Sequence, residues 1–348
     1  MKKKILFITG SINQTSQMHQ ISRHLQDFDC WFCQLFADNY FLKGILKYTN
    51  VANRTVLADH FREKSESYLS QFGAKIDQGG DRHHYDLVVN CTDMIVAKKF
   101  RETKTIWVQE GMIDKSTILT GLVKAFGLPP YCSGDTSLNG STNVCDIYCT
   151  ASIGYKNYFA RQGTDPAKLI VTGIPNYDNQ RQYLDNDFPF HNYVMVATSD
   201  MRETYRFENR PAFIKHAAKI ANGRRLLFKL HPNEKMERAE AEIKRYAPKG
   251  TMIFATGNTN HMIANCCELI TQYSTVVYTG IALGKKVHSY FDLEELNRLA
   301  PVQNGGTSAK NIAQICRGYL NFSGKKEDFL KGFTFKADTE LYREVQYA

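Results

Sequence analysis

The stretch Glu268-Leu-Ile-Thr-Gln-Tyr-Ser-Thr-Val-Val-Tyr-Thr-Gly-Ile-Ala-Leu-Gly-Lys-Lys-Val287 decides how this chain is read. An apolar strand over residues 268–271 breaks into the hydroxyl-rich turn Tyr273-Ser274-Thr275. An apolar helix begins near Thr275 and closes at Gly284, and another strand covers residues 286–290. Strand, turn, helix and strand in so short a span form a crossover unit, which parallel neighbours in a sheet require. Hydroxyls and unclaimed backbone N–H groups where a helix starts also suit an anion, and the helix dipole favours negative charge there. A second reading stands beside it: Ser or Thr is the ordinary N-cap of any helix.

The same alternation extends upstream. Strands are expected at residues 193–198, 225–230 and 251–255, with helices at 209–222, 234–246 and 260–266 between and after them. Nearer the N-terminus, residues 5–9 are a strand closed by Gly10. A polar loop over residues 11–17 leads into a helix through His24, and residues 29–35 are a second strand. Residues 53–72 have helical spacing, with Leu57, Phe61, Tyr68 and Leu69 as the buried stripe. Residues 86–90, 105–108, 145–150 and 168–172 are brief β-forming runs of the kind buried in parallel sheets. Residues 178–190 are polar and contain Pro189, which marks a linker. The expectation is an α/β protein of two Rossmann-like parallel-sheet domains, 1–180 and 191–348, facing a central cleft. Open sheets collect ligands outside the carboxyl ends of their strands.

Composition agrees with a folded chain. The 348 residues are 43% hydrophobic and 23% charged, enough for two cores and unlike a disordered segment. No apolar run approaches the roughly 20 residues that span a bilayer. The opening Met1-Lys-Lys-Lys-Ile-Leu-Phe-Ile-Thr-Gly10 reads as a first strand rather than a signal peptide, because its apolar part is short and lacks a cleavage site. Nine cysteines in both halves suit a reduced compartment. Cys30-x-x-Cys33 has no second pair at metal-binding spacing, so buried thiols are expected rather than zinc. A cytoplasmic protein is expected. Its net charge of +9 suits an anionic partner, and peripheral contact with the anionic inner face of the plasma membrane is one expectation. No nucleic-acid-binding motif is present.

A second segment carries chemistry: Leu226-Leu-Phe-Lys-Leu-His-Pro-Asn-Glu234. A strand delivers Lys229 near its end and His231 just beyond, where a parallel sheet meets its ligand. An imidazole there can hydrogen-bond or protonate a leaving phosphate, although a lone histidine is more often a structural residue.

Lys229-Leu-His231-Pro232, with Ser274-Thr275 after a later strand, resembles the C-terminal half of GT-B-fold transferases of bacterial surface polysaccharides. These include capsule sialyltransferases, bacterial Kdo transferases and the CDP-glycerol glycerophosphotransferases of teichoic acid synthesis. In the last group an Asp-Tyr-Ser-Ser turn follows an apolar strand, and the next strand runs into an Asp-Leu-Glu-Glu-like segment. Here these are similar to Thr271-Gln272-Tyr273-Ser274-Thr275 and to Asp292-Leu293-Glu294-Glu295, with Gln272 and Thr275 departing from the pattern. Thr172-Gly-Ile-Pro-Asn-Tyr-Asp178 is similar to the segment that closes the first domain in these enzymes and in UDP-sugar 2-epimerases.

The resemblance implies a role for each matching residue. His231 would contact the donor phosphate and assist nucleotide departure, and Ser274 and Thr275 would hold the same phosphate, with Lys229, Tyr273 and Glu295 beside them. The loop Val196-Ala-Thr198-Ser-Asp-Met-Arg202 would meet the donor through Thr198 and Arg202, whose guanidinium suits phosphate oxygens. An ion pair of Arg202 with Asp200 or Glu203 is the competing reading. Gly10 and Ser11 resemble the strand-1 loop of GT-B enzymes and are neither a dinucleotide fingerprint nor a P-loop. Glu110, in Gln109-Glu-Gly111, resembles the acidic residue that supplies the base in bacterial sialyltransferases; a turn is the alternative.

The implied activity is transfer of a sugar or polyol phosphate from a CMP-, CDP- or UDP-type donor to a capsular or cell-envelope glycan, free or lipid-linked. Two alternatives stand open: a non-hydrolysing UDP-sugar 2-epimerase-like enzyme, and a silent nucleotide- or glycan-binding protein. No Asp-x-Asp element stands at a strand end, so no cofactor and no obligatory metal is expected.

Overall fold

In the computed structural model, which describes residues 2–36, 57–203 and 207–332, the β-forming runs assemble into two parallel sheets. The first unit spans Met1–Asp178 and the chain from Gly306 onward; the second is Asn179–Gly305.

In the first unit the strands are β1 (Lys4–Thr9), β2 (Asp29–Gln34), β3 (Lys75–Ile76), β4 (Leu87–Asn90), β5 (Lys104–Val108), β6 (Ile147–Thr150) and β7 (Leu169–Val171). They lie in the order β3-β2-β1-β4-β5-β6-β7, all neighbours parallel. Strand order reverses between β1 and β4. The helices are α1 (Ile12–Ser22), α2 (Asp59–Ser70), α3 (Ile118–Ala125) and α4 (Ile153–Gln162). Of the expected helix 53–72, residues 53–56 lie outside the described residues.

Side chains alternate across the pleat. Ile5 and Phe7 of β1 enter one core with Met18 and Ile21 of α1, while Leu6 and Ile8 enter another with Val88 and Phe100. Both faces are therefore buried, which is why these strands read as unbroken apolar runs rather than alternating ones.

Two expectations are corrected here. Residues 12–17 are helix, not loop. Ser11 is the N-cap of α1 in a reciprocal capping box with Gln14. Two of the polar residues that suggest a loop are buried: the Thr15 hydroxyl donates to Ser65 and the Gln17 amide N–H to the Gln109 carbonyl. The second domain, moreover, does not run to residue 348. A helix at Ser308–Asn321 packs Ile312, Ala313, Ile315, Cys316 and Tyr319 into the first unit's core. Its start is tied by the Ser308 amide to Asp178, and its end by Lys104, whose ammonium donates to the carbonyls of Tyr319 and Phe322. Each fully buried aliphatic side chain in that stripe is worth roughly 1.5–3 kcal/mol. The chain leaves the first unit after Asp178, at the start of the expected linker, and returns at Gly306.

In the second unit β8 (Tyr193–Ala197), β9 (Leu226–Lys229), β10 (Met252–Phe254), β11 (Cys266–Thr271) and β12 (Lys286–His288) lie in the order β10-β9-β8-β11-β12, again parallel. The helices α5 (Arg210–Ala221), α6 (Met236–Tyr246), α7 (Thr259–Asn265), α8 (Val276–Ala282) and α9 (Leu293–Leu299) alternate with them, and Ser308–Asn321 is α10. The reversal of strand order falls between β8 and β11.

Candidate functional site

In an open parallel sheet the carboxyl ends flanking the order reversal are where ligands collect. In the second unit those ends carry the segments singled out from sequence. β8 runs into Thr198 and Ser199, and β11 runs into Gln272-Tyr273-Ser274. The Ser199 hydroxyl donates to the Gln272 side-chain oxygen at 2.9 Å, joining the two ends directly. His231 follows β9, on the other side of β8. His231 and Ser274 thus share one edge, with strand ends roughly 10 Å apart at two strand spacings.

His231 is about one-third exposed, with a side-chain relative accessibility of 34%. Its Nδ1 accepts from the Asn233 backbone N–H at 3.2 Å, and Asp200 stands 3.7 Å away. An Nδ1 that accepts leaves the proton of the neutral ring on Nε2. The ring is therefore set to donate from Nε2. Asp200 is in turn held by the Asn233 amide at 2.9 Å.

The backbone beneath His231 is anchored from below. Its N–H donates to the Thr198 hydroxyl at 3.0 Å and to Glu234 at 2.9 Å. Glu234 also accepts from the Thr198 hydroxyl and pairs with Arg210 at 2.5 Å. Arg210, 1% exposed, reaches Glu208 as well, at 2.9 Å. Sequence reading missed Arg210 and Glu234. Arg210 lay in the expected helix 209–222 with nothing to mark it, whereas Glu234 stands three residues past His231, within the segment quoted for it.

Several expected donor ligands are engaged elsewhere. Arg202 makes a bidentate pair with Glu242 at 2.8 and 2.9 Å and lies 3.2 Å from Glu208. Arg202 is ion-paired, but not with Asp200 or Glu203 as the competing reading had it; Glu203 pairs with Arg238 instead. Lys229 is buried, and its ammonium donates to the carbonyls of Leu230 and Ala255 at 2.9 and 3.0 Å. Burial lowers its pKa. Thr198 is buried within the Glu234 network. Glu295 pairs with Arg298 at 2.6 Å in the first turn of α9.

The turn after β11 differs from the expected cap. Thr275 makes no side-chain cap, and the Ser274 hydroxyl accepts weakly from Val276 N–H at 3.4 Å. Tyr273 is 42% exposed and meets Tyr290 and Phe291 edge-on, with ring centroids 5.5 and 5.0 Å away.

In the first unit Glu110 follows β5, one strand from the order reversal. Glu110 as a residue is half-buried, and desolvation of its carboxyl raises its pKa against a smaller opposing hydrogen bond from Gln14. Gln14 is oriented by the N–H of Ser11 and the thiol of Cys91, each 3.1 Å from its side-chain oxygen. Gln109 does not face ligand: it bridges the ends of β5 and β6 through the Gly111 carbonyl and the Ala151 N–H. Ser11 caps α1, and the Gly10 carbonyl accepts from Gln34 at 2.8 Å.

Among the described residues no group of three His, Cys, Asp or Glu is placed to hold a metal ion. Cys30 and Cys33 are free thiols pushed up to about 12 by burial, which suits inert core residues. No helix among the described residues is long and apolar enough to cross a membrane.

No protein-family model matches the chain, and no curated protein matches it in sequence. Solved structures do. A protein of Listeria monocytogenes assigned as a UDP-N-acetylglucosamine 2-epimerase superposes with TM-score 0.57 at 13% identity, over 92% of this chain and 97% of that one. The Staphylococcus aureus MnaA–UDP co-structure gives TM-score 0.55 at 12% identity over 93% and 99%. A variant of the wall teichoic acid polymerase TagF gives 0.50 at 11% identity over 92% and 89%. At such identities the likeness speaks for the fold. With two parallel α/β sheets of seven and five strands, this chain has the GT-B architecture.

Proposed function

We propose that the protein is a nucleotide-donor-dependent transferase of GT-B type that moves a sugar or polyol phosphate to a capsular or cell-envelope glycan. The observation that carries this reading is His231. Its Nδ1 is taken by the Asn233 N–H, which leaves Nε2 as donor at the carboxyl edge beside the order reversal. An Nε2–H aimed at a developing phosphate charge stabilises it and can follow the nucleotide as it leaves. The fold is shared with MnaA, whose co-structure holds UDP, and with a wall teichoic acid polymerase, so a pyrimidine nucleotide donor fits.

The reading assigns the donor phosphate to His231 Nε2, with the Ser274 and Thr275 hydroxyls beyond it. Arg202 and Lys229 are left out, since carboxylates and carbonyls hold them. Glu110 is assigned as the base that takes the acceptor hydroxyl's proton, because burial has moved its pKa toward working pH. Tyr273 and Tyr290 offer aromatic surface for a base or sugar. No metal is required in this reading.

The test incubates the protein with UDP-, CDP- and CMP-activated donors, in chelator, and measures released nucleotide and melting temperature. A cognate nucleotide at a hundredfold excess over its dissociation constant should stabilise by about 2.7 kcal/mol. His231→Ala should lower turnover about a hundredfold while melting moves only a few degrees. If UDP-N-acetylglucosamine is instead interconverted with its 2-epimer without nucleotide release, the epimerase reading replaces this one. A melting shift with neither reaction identifies a binding protein. No shift with any pyrimidine nucleotide at millimolar concentration refutes the donor site.

A further inference from the structure

Helix α3 is built inside out. The two side chains it buries are Thr120 and Val123, each 1% exposed, and Thr120 is held inward by the Ser137 hydroxyl at 2.8 Å. Its outer face carries the larger apolar groups: Ile118 is 86% exposed, and Leu119 and Leu122 are each about half exposed. The chain beyond continues the face with Phe126, 73% exposed, and Leu128. A helix that covers a core normally shows the reverse pattern. Single exposed apolar residues are ordinary, but five within eleven positions form a patch of the kind that marks an interaction surface.

We infer that this patch is a docking surface for an anionic lipid bilayer. Charge selects that occupant. Residues 115–131 contain no Asp or Glu, and Lys115 and Lys124 bracket the apolar face, both exposed, with the Lys124 ammonium resting on the backbone carbonyl and side-chain oxygen of Gln162 at 2.8 and 2.9 Å, neutral groups that leave its charge uncompensated. The nearest upstream carboxylate, Asp114, is occupied by the Thr136 N–H and hydroxyl at 3.1 and 2.8 Å. Lysine stems lie along apolar surface and carry their ammonium groups out to the headgroups. Leu, Ile and Phe on one face with lysines at its margin is the composition of helices that rest in a membrane interface without spanning it. A second copy of the chain fits less well. A two-fold contact would bring the same two lysines together from each side, on molecules each carrying +9. An anionic leaflet attracts that charge.

The patch lies shortly after Glu110 in the chain, on the connection leaving the carboxyl end of β5. Where the transferase reading also holds, docking here makes the acceptor lipid-linked. The surface itself does not depend on that reading, because its test uses no donor.

The full chain is sedimented with vesicles of phosphatidylcholine, and with phosphatidylcholine containing 30% phosphatidylglycerol. The wild type should bind the anionic vesicles, at least tenfold less to the neutral ones, and less again in high salt. Ile118→Glu with Phe126→Glu should lower binding to anionic vesicles at least tenfold, and so should Lys115→Glu with Lys124→Glu. All four side chains are exposed, so far-ultraviolet circular dichroism should show the fold retained in both variants, with at most a few degrees lost where Lys124 leaves Gln162. Equal binding by the apolar variant overturns the proposal, as does failure of the wild type to bind anionic vesicles. Light scattering that shows a dimer dissociated by Ile118→Glu with Phe126→Glu assigns the patch to self-association and overturns it as well.

Discussion

The buried ion pair beneath His231 lends itself to a quantitative test. Glu234 and Arg210 have side chains 0% and 1% exposed, 2.5 Å apart, and Glu208, 1% exposed, is the second carboxylate on Arg210. Glu234→Gln keeps the shape and removes the charge. Its amide then either turns N–H toward the guanidinium or withdraws the acceptor from Thr198 and His231. Removing one partner of a buried pair costs about 3–5 kcal/mol. Glu208 still compensates Arg210, so the lower end applies, about 3 kcal/mol. For a unit of this size that is roughly 10 °C of melting temperature. Arg210→Met should cost as much or more, since it leaves two buried carboxylates. The double variant should fall short of the sum by at least about 1 kcal/mol, because the two residues share one interaction. The assay separates the units: both tryptophans, Trp31 and Trp107, lie in the first, so their fluorescence reports that sheet while far-ultraviolet circular dichroism reports both. The loss should appear in the dichroism transition of Glu234→Gln. A change below about 0.5 kcal/mol, or additive single effects, would refute the account of this pair as the support of the His231 loop.

Two further outcomes follow from perturbed carboxylates. Burial raises the Glu110 pKa above 4.5, so the folded state holds that proton more tightly and the group destabilises increasingly as pH climbs past 4.5. Glu110→Gln should therefore raise the melting temperature at pH 7.5, with the gain vanishing below pH 4.5, while turnover falls about 10²–10⁴-fold; no gain at pH 7.5 contradicts the burial argument. Glu268 is held down to about 2, foremost by the hydrogen bond from Arg224 and also by His288 and Lys286. Its stabilisation is complete above 4.5 and drains away as pH falls toward 2. Between pH 5 and 3 the wild type should lose melting temperature faster than Glu268→Gln, and parallel curves would exclude the effect.

Local pattern was enough to place most strands of both sheets, because a strand buried on two faces needs a run of apolar residues wherever it ends up. It also put His231 and Ser274 just past strand ends, where they stand. The first half of the helix over residues 12–22 escaped it, since Thr15 and Gln17 are buried polar groups whose partners, Ser65 and Gln109, are distant in sequence. The sheet that α10 would cover was equally hidden. An amphipathic stripe states that a helix is covered, and only the assembled core of β1, β4 and β5 selects the cover.

The charged residues divide in the same way. Arg202, Lys229 and Glu295 carry the right groups for phosphate or sugar, and the resemblance of their segments to surface-polysaccharide transferases nominated them. Their partners decide otherwise: Glu242 stands forty residues from Arg202, and the Ala255 carbonyl twenty-six from Lys229. The chain's sequence by itself determined two series of parallel β-α units and the histidine at a strand end. The tertiary structure alone decided which cations are already neutralised, and that the His231 backbone rests on Arg210 and Glu234. Hydrophobic burial acts through local periodicity and can be read residue by residue, whereas a charge takes its role from whichever group folding brings within about 3 Å of it.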